Sequence, residues 1–203
     1  MLLLALLLLA LAPGVARANP SLLVIGDSLA LDSAPYLTQD LEGWKVRQRY
    51  WGGVTLQQGL GWFAQETPPP PIVAFSLFTN NEPSEAPLLE RAVGALLARH
   101  PGCHIWATPY RRGPAGNVYA AINPRLRAVA RRHRDRMVLI DWAAVVTARG
   151  GLLREDGVHT TPFGARVRAY LYAGAARRCL RRLRRGAAET SLQRAAGAGR
   201  EAS

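Results

Sequence analysis

The sequence is nearly devoid of lysine: Lys45 is the only one among 26 basic residues, so arginine carries the net charge of +12 at pH 7. A positive balance of this size is compatible with an anionic partner such as nucleic acid or a membrane surface. Much of the charge lies in short clusters such as Arg177-Arg178, Arg181-Arg182 and Arg184-Arg185. The sequence also lacks zinc-finger spacing and an aromatic-basic RNA-binding signature. We therefore expect no nucleic-acid partner, and peripheral contact with an anionic cell surface as the role of the charge.

Cysteine is also scarce, with Cys103 and Cys179 the only two in the chain. Neither belongs to a CxxC pair or has a histidine at ligand spacing, which argues against a metal site. An even number of cysteines in an exported protein favours a single disulfide. Two unrelated buried thiols are the alternative, because free cysteine packs like a small hydrophobic residue.

No apolar run is long enough to span a bilayer, which takes about 20 residues. The longest, Leu2 to Ala12, is broken by Pro13-Gly14 and followed by Ala16-Arg17-Ala18, the small-x-small pattern of signal-peptidase cleavage. The usual positive charge ahead of the apolar run is missing. We interpret residues 1–18 as a signal peptide, with an uncleaved anchor as the alternative, and expect a secreted or cell-envelope protein.

Residues 19–185 are predicted to form one α/β domain. Five apolar stretches alternate with segments of helical periodicity, a pattern typical of a parallel sheet covered on both faces. The expected fold is a flavodoxin-like three-layer α/β/α sandwich with a five-stranded parallel sheet. Residues 186–203, rich in Ala, Gly and Arg without a packing stripe, are predicted to be disordered. The predicted strands are Leu22–Ile25, Lys45–Tyr50, Ile72–Leu77, His104–Ala107 and Met137–Ile140.

Polar residues whose side chains can take part in catalysis follow several of these strands. In an open parallel sheet, ligands collect outside the carboxyl ends of the strands. Gly26-Asp27-Ser28-Leu29 follows the first strand, Gly52-Gly53 the second and Thr79-Asn80-Asn81 the third. Past the fifth strand, Asp156 and His159 precede a helix that Thr161-Pro162 begins. A serine, a glycine, an asparagine and an Asp/His pair are thus expected at one edge of the sheet.

The same topology predicts a bond between the two cysteines. A helix that starts near Pro162 runs away from the carboxyl edge, and about 17 residues carry it some 25 Å to Cys179. Cys103 lies just before the fourth strand, and all parallel strands begin at that opposite edge. Both thiols are therefore expected at the end of the molecule remote from Ser28.

The chain resembles the SGNH, or GDSL, hydrolases over about Ser21 to Leu180. Gly26-Asp27-Ser28-Leu29 is similar to the first block of that family, and Asp156-Gly157-Val158-His159 to its last. Gly53 is placed at the glycine of the second block and Asn80 at the asparagine of the third, which is usually Gly-x-Asn-Asp. Here Phe78 and Asn81 depart from that pattern, and the choice between Asn80 and Asn81 as donor stays open.

The resemblance implies a separate catalytic role for each of these residues. Ser28 would be the nucleophile, His159 its base, and Asp156 the acceptor that orients the imidazole. The backbone N–H groups of Ser28 and Gly53 and the side-chain amide of Asn80 would form the oxyanion hole. No metal or cofactor is implied. A Gly-x-Ser-x-Gly elbow is absent, which argues against the α/β-hydrolase fold.

These residues predict a secreted, monomeric serine esterase that cleaves carboxylic esters, acyl or acetyl, of a small-molecule, lipid or glycan substrate. An acyltransferase that passes the acyl group to an alcohol is one alternative, and a non-catalytic module that binds glycan or lipid is another. Trp51 and Trp62, near the second block, are candidates for lining an acyl or sugar pocket, but large aromatic side chains more often fill the core, so neither is counted among the site residues.

Overall fold

The computed structural model describes residues 19–201, and no helix in that range is long and apolar enough to cross a membrane. The strands are β1 Ser21–Gly26, β2 Lys45–Tyr50, β3 Ile72–Ser76, β4 Cys103–Ala107, β5 Arg112–Gly113, β6 Gly116–Asn117 and β7 Met137–Ile140. The helices are α1 Ser28–Asp40, α2 Leu56–Ala64, a 3₁₀ turn Pro83–Glu85, α3 Ala86–Arg99, α4 Asn123–Arg132, α5 Trp142–Ala148 and α6 Pro162–Glu201.

Five of the strands form one parallel sheet in the order β2-β1-β3-β4-β7, while β5 and β6 pair as a small antiparallel hairpin. The central strands β1, β3 and β4 are almost wholly buried. Leu22 and Val24 pack against α1 and α6, whereas the alternate residues Leu23 and Ile25 belong to the core beneath α2, α3 and α4. Because both faces are covered, the strands are continuous apolar runs. The predicted three-layer sandwich is confirmed.

The first half of α6 crosses the sheet from its carboxyl edge to its amino edge. Ala169, Ala173 and Ala176 are fully buried against the strands, and these small side chains let the helix lie close to the sheet. Cys179 then forms a disulfide with Cys103 at the start of β4, with 5.5 Å between their Cα atoms. The pairing agrees with the one predicted from topology.

The C-terminal segment differs from its prediction. Residues 186–201, expected to be disordered, continue α6 as helix to Glu201. Alanine, the strongest helix former, is the commonest residue of the segment, and the packed half of α6 already provides the helical nucleus. Side chains 184–194 are all exposed, consistent with the missing packing stripe. The segment interpreted as a signal peptide, residues 1–18, lies outside the described residues.

Candidate active site

The turn between β1 and α1 places Ser28 at the carboxyl edge of the sheet as the first residue of α1. Asp27 caps the helix, because its Oδ1 accepts the backbone N–H of Leu29 at 3.0 Å. Gly26 permits the close packing of this turn: a Cβ there would lie 2.3 Å from the Cβ of Ala30. The backbone N–H of Ser28 lies in the first turn of α1, where the helix supplies no acceptor.

Ser28, His159 and Asp156 form one continuous hydrogen-bond chain. Nε2 of His159 lies 3.1 Å from Oγ of Ser28, and Nδ1 of His159 lies 2.8 Å from Oδ2 of Asp156. The sequence separation between Ser28 and His159 is 131 residues, so only the fold brings them together. An imidazole in this arrangement can accept the serine proton while the carboxylate fixes its tautomer.

The carboxylate of Asp156 is held ionised by its own loop. Its Oδ1 accepts the backbone N–H groups of Val158 at 2.8 Å and of His159 at 2.9 Å. The N–H of Val158, followed by the ring N–H of His159, lowers the pKa of Asp156 to about 2. Hydrogen bonds to a charged form favour that form. Asp156 therefore remains a carboxylate throughout the neutral and mildly acidic range.

Asp32 ties the His159 loop to helix α1. Its Oδ2 accepts the hydroxyl of Thr160 at 2.9 Å and the backbone N–H of Thr160 at 3.3 Å. Arg154 lies 3.6 Å from the other oxygen. Sequence reasoning missed this role, although Asp32 stands one helical turn after Ser28 and so shares its face of α1. The contact fixes the residue next to His159 against the helix that begins with Ser28.

The glycine and asparagine predicted for the oxyanion hole also lie at this edge. Gly53 has φ +78°, a left-handed conformation that favours glycine. The N–H of Trp51 donates to the carbonyl of Gly26 at 3.3 Å, which holds the turn before Gly53 beside the end of β1. Asn80 is exposed, and its Nδ2 donates to the carbonyl of Val54 at 3.0 Å.

Asn81 makes different contacts from Asn80, because its side chain is buried in the scaffold. Its Oδ1 accepts the N–H of Leu56 at 2.8 Å, at the start of α2. Its Nδ2 donates to Gln57 at 3.0 Å and to Glu85 at 3.2 Å. The amide of Asn81 is thus fully used within the scaffold, whereas the exposed Asn80 uses one of its two amide hydrogens on Val54.

Phe78 occupies the position where the third block usually has glycine, and its backbone has φ +87°. A left-handed conformation is uncommon for a bulky residue. Two contacts of Tyr119 stabilise it: the rings of Phe78 and Tyr119 pack edge to face at 5.7 Å, and the Tyr119 hydroxyl donates to the carbonyls of Thr79 and Asn81. Burial of a large aromatic side chain therefore offsets the strain that glycine would avoid.

A buried polar network lies beneath the Ser28 turn. Ser76 donates to Oδ1 of Asp27 at 3.2 Å and accepts Nη2 of Arg168 at 3.0 Å. The guanidinium of Arg168, only 2% exposed, lies over the rings of Trp142 and Tyr172. Burial raises the pKa of Asp27, and the charge of Arg168 opposes that rise. No pattern in the sequence distinguished Arg168 from the other arginines.

The surroundings of Ser28 include two features that the sequence did not predict. For Trp51 the core was the favoured place, but this residue is 74% exposed in the turn after β2, outside the packed layers. Trp62 is partly buried against the core and lies beneath the guanidinium of Arg49. The β5–β6 hairpin contacts the loop that carries Asp156 and His159, since the N–H of Arg112 donates to the carbonyl of Gly157 at 3.0 Å.

No family model and no curated protein sequence matches the chain. Solved structures do match. The C-terminal catalytic domain of peptidoglycan O-acetyltransferase A from Streptococcus pneumoniae, with a methylsulfonyl adduct, has a TM-score of 0.64 at 20% identity, covering 81% of this chain and 93% of that one. A lipase/acylhydrolase from Enterococcus faecalis has a TM-score of 0.59 at 17% identity, with coverage of 76% and 93%. A protein from Desulfitobacterium hafniense assigned to the G-D-S-L lipolytic family has a TM-score of 0.63 at 17% identity, with coverage of 77% and 99%.

The chain has the SGNH-hydrolase fold.

The blocks of the SGNH-hydrolase pattern occupy equivalent places in this fold, each just after a strand or just before the last helix. The first block is the β1–α1 turn, the second follows β2, and the third follows β3. The last block is the loop that leads into α6. The SGNH-hydrolase fold thus explains why four sequence blocks spread between residues 26 and 159 meet at one edge.

Proposed function

We propose that the protein is a serine esterase that hydrolyses carboxylic esters, acyl or acetyl, through an acyl-serine intermediate. The observation that carries the proposal is the unbroken hydrogen-bond chain Asp156–His159–Ser28 at the carboxyl edge of the sheet. A serine hydroxyl is a weak nucleophile until a neighbouring base takes its proton. The chain supplies that base and the group that orients it.

In the first half of the reaction, Oγ of Ser28 attacks the ester carbonyl carbon while its proton passes to Nε2 of His159. The tetrahedral intermediate collapses, the bond to the alkoxy oxygen breaks, and His159 returns the proton to the leaving alcohol. In the second half, water gives a proton to His159 and its oxygen to the acyl carbon. The Ser28 ester bond then breaks, Ser28 recovers a proton from His159, and the carboxylic acid leaves.

The negative charge of each intermediate needs donors placed in advance. We assign these to the backbone N–H of Ser28, the backbone N–H of Gly53 and Nδ2 of Asn80. The first-turn position of Ser28 and the exposed amide of Asn80 support this assignment. Nδ2 of Asn80 has two hydrogens, one of which is bonded to Val54, and the second is the one assigned to the oxyanion.

We place this esterase outside the cytoplasm, as a secreted or cell-envelope protein that acts as a monomer on a small-molecule, lipid or glycan ester. The Cys103–Cys179 disulfide supports an oxidising compartment. An acyltransferase is the second candidate, because one of the similar structures is the catalytic domain of an O-acetyltransferase. Both reactions share the same acyl-serine and differ only in whether water or an alcohol accepts the acyl group.

The test measures hydrolysis of p-nitrophenyl esters of increasing chain length and labelling by a fluorophosphonate probe. Ser28→Ala is expected to lose both, with kcat/KM lower by about 10³-fold or more. Ser84→Ala, at an exposed serine of the 3₁₀ turn, is the matched control and should keep both. Undiminished labelling of the Ser28→Ala protein would overturn the proposal, as would a wild type that neither reacts with the probe nor hydrolyses any ester. Faster product formation on adding an alcohol, with ester exchange, would favour the transferase.

A further inference from the structure

A dense group of arginines occupies the amino edge of the sheet, at the end of the molecule opposite Ser28. We call it the amino-end arginine cluster. Two come from the loop before β7 and four from α6, next to the Cys103–Cys179 bond. The six are Arg134, Arg136, Arg181, Arg182, Arg184 and Arg185.

Packing brings the two parts of the cluster together. Nη1 of Arg182 donates to the carbonyl of Met137 at 2.8 Å, which fixes α6 against the start of β7. Between them runs an open groove of about 710 Å³, whose lining includes Arg134, Arg136, Arg182 and Arg185. Four of the six arginines therefore line one surface, and Arg181 and Arg184 are exposed on the same helix.

The positive charge of this surface is poorly compensated. Arg136 contacts Asp135 at 3.5 Å, and Glu189 is the other carboxylate that lines the groove. The pKa of Arg182 is lowered, first by partial burial and then by the charges of Arg178 and Arg185. Mutual repulsion of this kind is relieved by a ligand that brings several negative charges at once.

We propose that the amino-end arginine cluster binds the phosphate groups of an anionic lipid bilayer. The cluster lies at the amino edge of the sheet and includes exposed residues of α6, so it is accessible to a large flat surface. The same helix exposes Leu192 at 71%, and basic helices that carry exposed leucine dock at the lipid interface. Docked through this end, the molecule leaves Ser28 facing away from the membrane.

The disulfide also favours lipid over nucleic acid as the partner. The Cys103–Cys179 bond is buried in the core two residues before Arg181, and such bonds persist in oxidising compartments. The proposal does not depend on the esterase activity, because the two surfaces lie at opposite ends of the sheet.

The experiment compares binding of the full chain to vesicles of phosphatidylglycerol and phosphatidylcholine with binding to phosphatidylcholine alone, by cosedimentation. The variant Arg181→Gln/Arg184→Gln/Arg185→Gln removes three exposed charges of the cluster. Each arginine at an anionic surface contributes roughly a fivefold gain in affinity, so the variant should bind about 100-fold more weakly. Binding should also fall steeply with salt.

The matched control is Arg91→Gln/Arg125→Gln/Arg149→Gln, which removes the same number of charges from exposed sites elsewhere and should bind nearly as wild type. Equal losses in the two variants would overturn the proposal, because they would indicate attraction by net charge alone. Equal binding to the two vesicle types, or tighter binding to duplex DNA at the same salt concentration, would also overturn it. Thermal melting should be the same for both variants, which excludes unfolding as the cause of a loss.

Discussion

At the level of single residues, Asn80 and Asn81 are neighbours in the chain that make unrelated contacts. Asn80→Ala is expected to lower kcat by roughly 10²-fold with little change in KM, because its amide is needed when charge develops on the substrate oxygen. Asn81→Ala should instead reduce the free energy of unfolding by about 1–3 kcal/mol, since the N–H of Leu56 loses its acceptor. Steady-state kinetics and urea unfolding of both variants separate the two roles. A silent Asn80→Ala beside a stable but inactive Asn81→Ala would show that the assignment is shifted by one residue.

Arg168 supplies a positive charge and a hydrogen-bond donor to the buried network under Ser28. Arg168→Leu removes the nearby positive charge that opposes the pKa rise of Asp27, and it removes the donor to Ser76, so the free energy of unfolding should fall by about 1–3 kcal/mol. Burial raises the pKa of Asp27 in the folded protein above its ordinary value of 3.8. Asp27 therefore does not reduce the free energy of unfolding below pH 3.8, where it is protonated in both states, and it reduces that free energy as pH rises through its folded pKa. The variant raises that folded pKa further, so its deficit should widen from acidic to neutral pH.

Urea unfolding of wild type and Arg168→Leu at several pH values measures this deficit. A second substitution, Asp27→Asn, removes the buried charge and should recover part of the stability in the Arg168→Leu background. A deficit that is the same at every pH, and is not reduced by Asp27→Asn, would mean that Arg168 acts through packing on Trp142 and Tyr172 alone.

Among the secondary-structure elements, α6 and β4 are joined covalently across a separation of 76 residues. In the chain-entropy description, a loop of this length gives about 4–5 kcal/mol. The Cys103→Ala/Cys179→Ala variant should therefore melt roughly 10 °C lower. Its esterase activity at low temperature should match wild type, because the bond lies at the edge opposite Ser28. Loss of activity in a variant that is still folded would contradict a purely stabilising role.

The strands and the edge that carries the site could be predicted from the sequence, whereas several contacts could not. Strands buried on both faces are continuous apolar runs, and parallel topology alone brings their carboxyl ends together. Asp32 and Arg168 were not recognised because their contacts depend on which faces of α1 and α6 meet the core and the His159 loop. The helical state of residues 186–201 was missed because helix formers continue a helix that is nucleated elsewhere.

At the scale of the whole molecule, the candidate active site and the arginine cluster lie at opposite ends of the strands. Ser28, His159 and Asp156 lie at the carboxyl edge, and the disulfide and the amino-end arginine cluster lie at the amino edge. The distance between the two ends is set by the length of the strands and by the buried half of α6. The proposed ester hydrolysis at one end and the proposed lipid binding at the other should therefore be altered separately by the two sets of variants.

The position of the disulfide within α6 also has a mechanical consequence. Twenty-two residues of the helix follow Cys179, roughly 33 Å of rod at 1.5 Å per residue. A pulling force on the far end of that rod would pass through the sulfur atoms into β4, an interior strand of the sheet, before it could peel the buried half of the helix from the core. The turn that holds Ser28, at the other end of the strands, would be stretched only after that bond or that strand had given way.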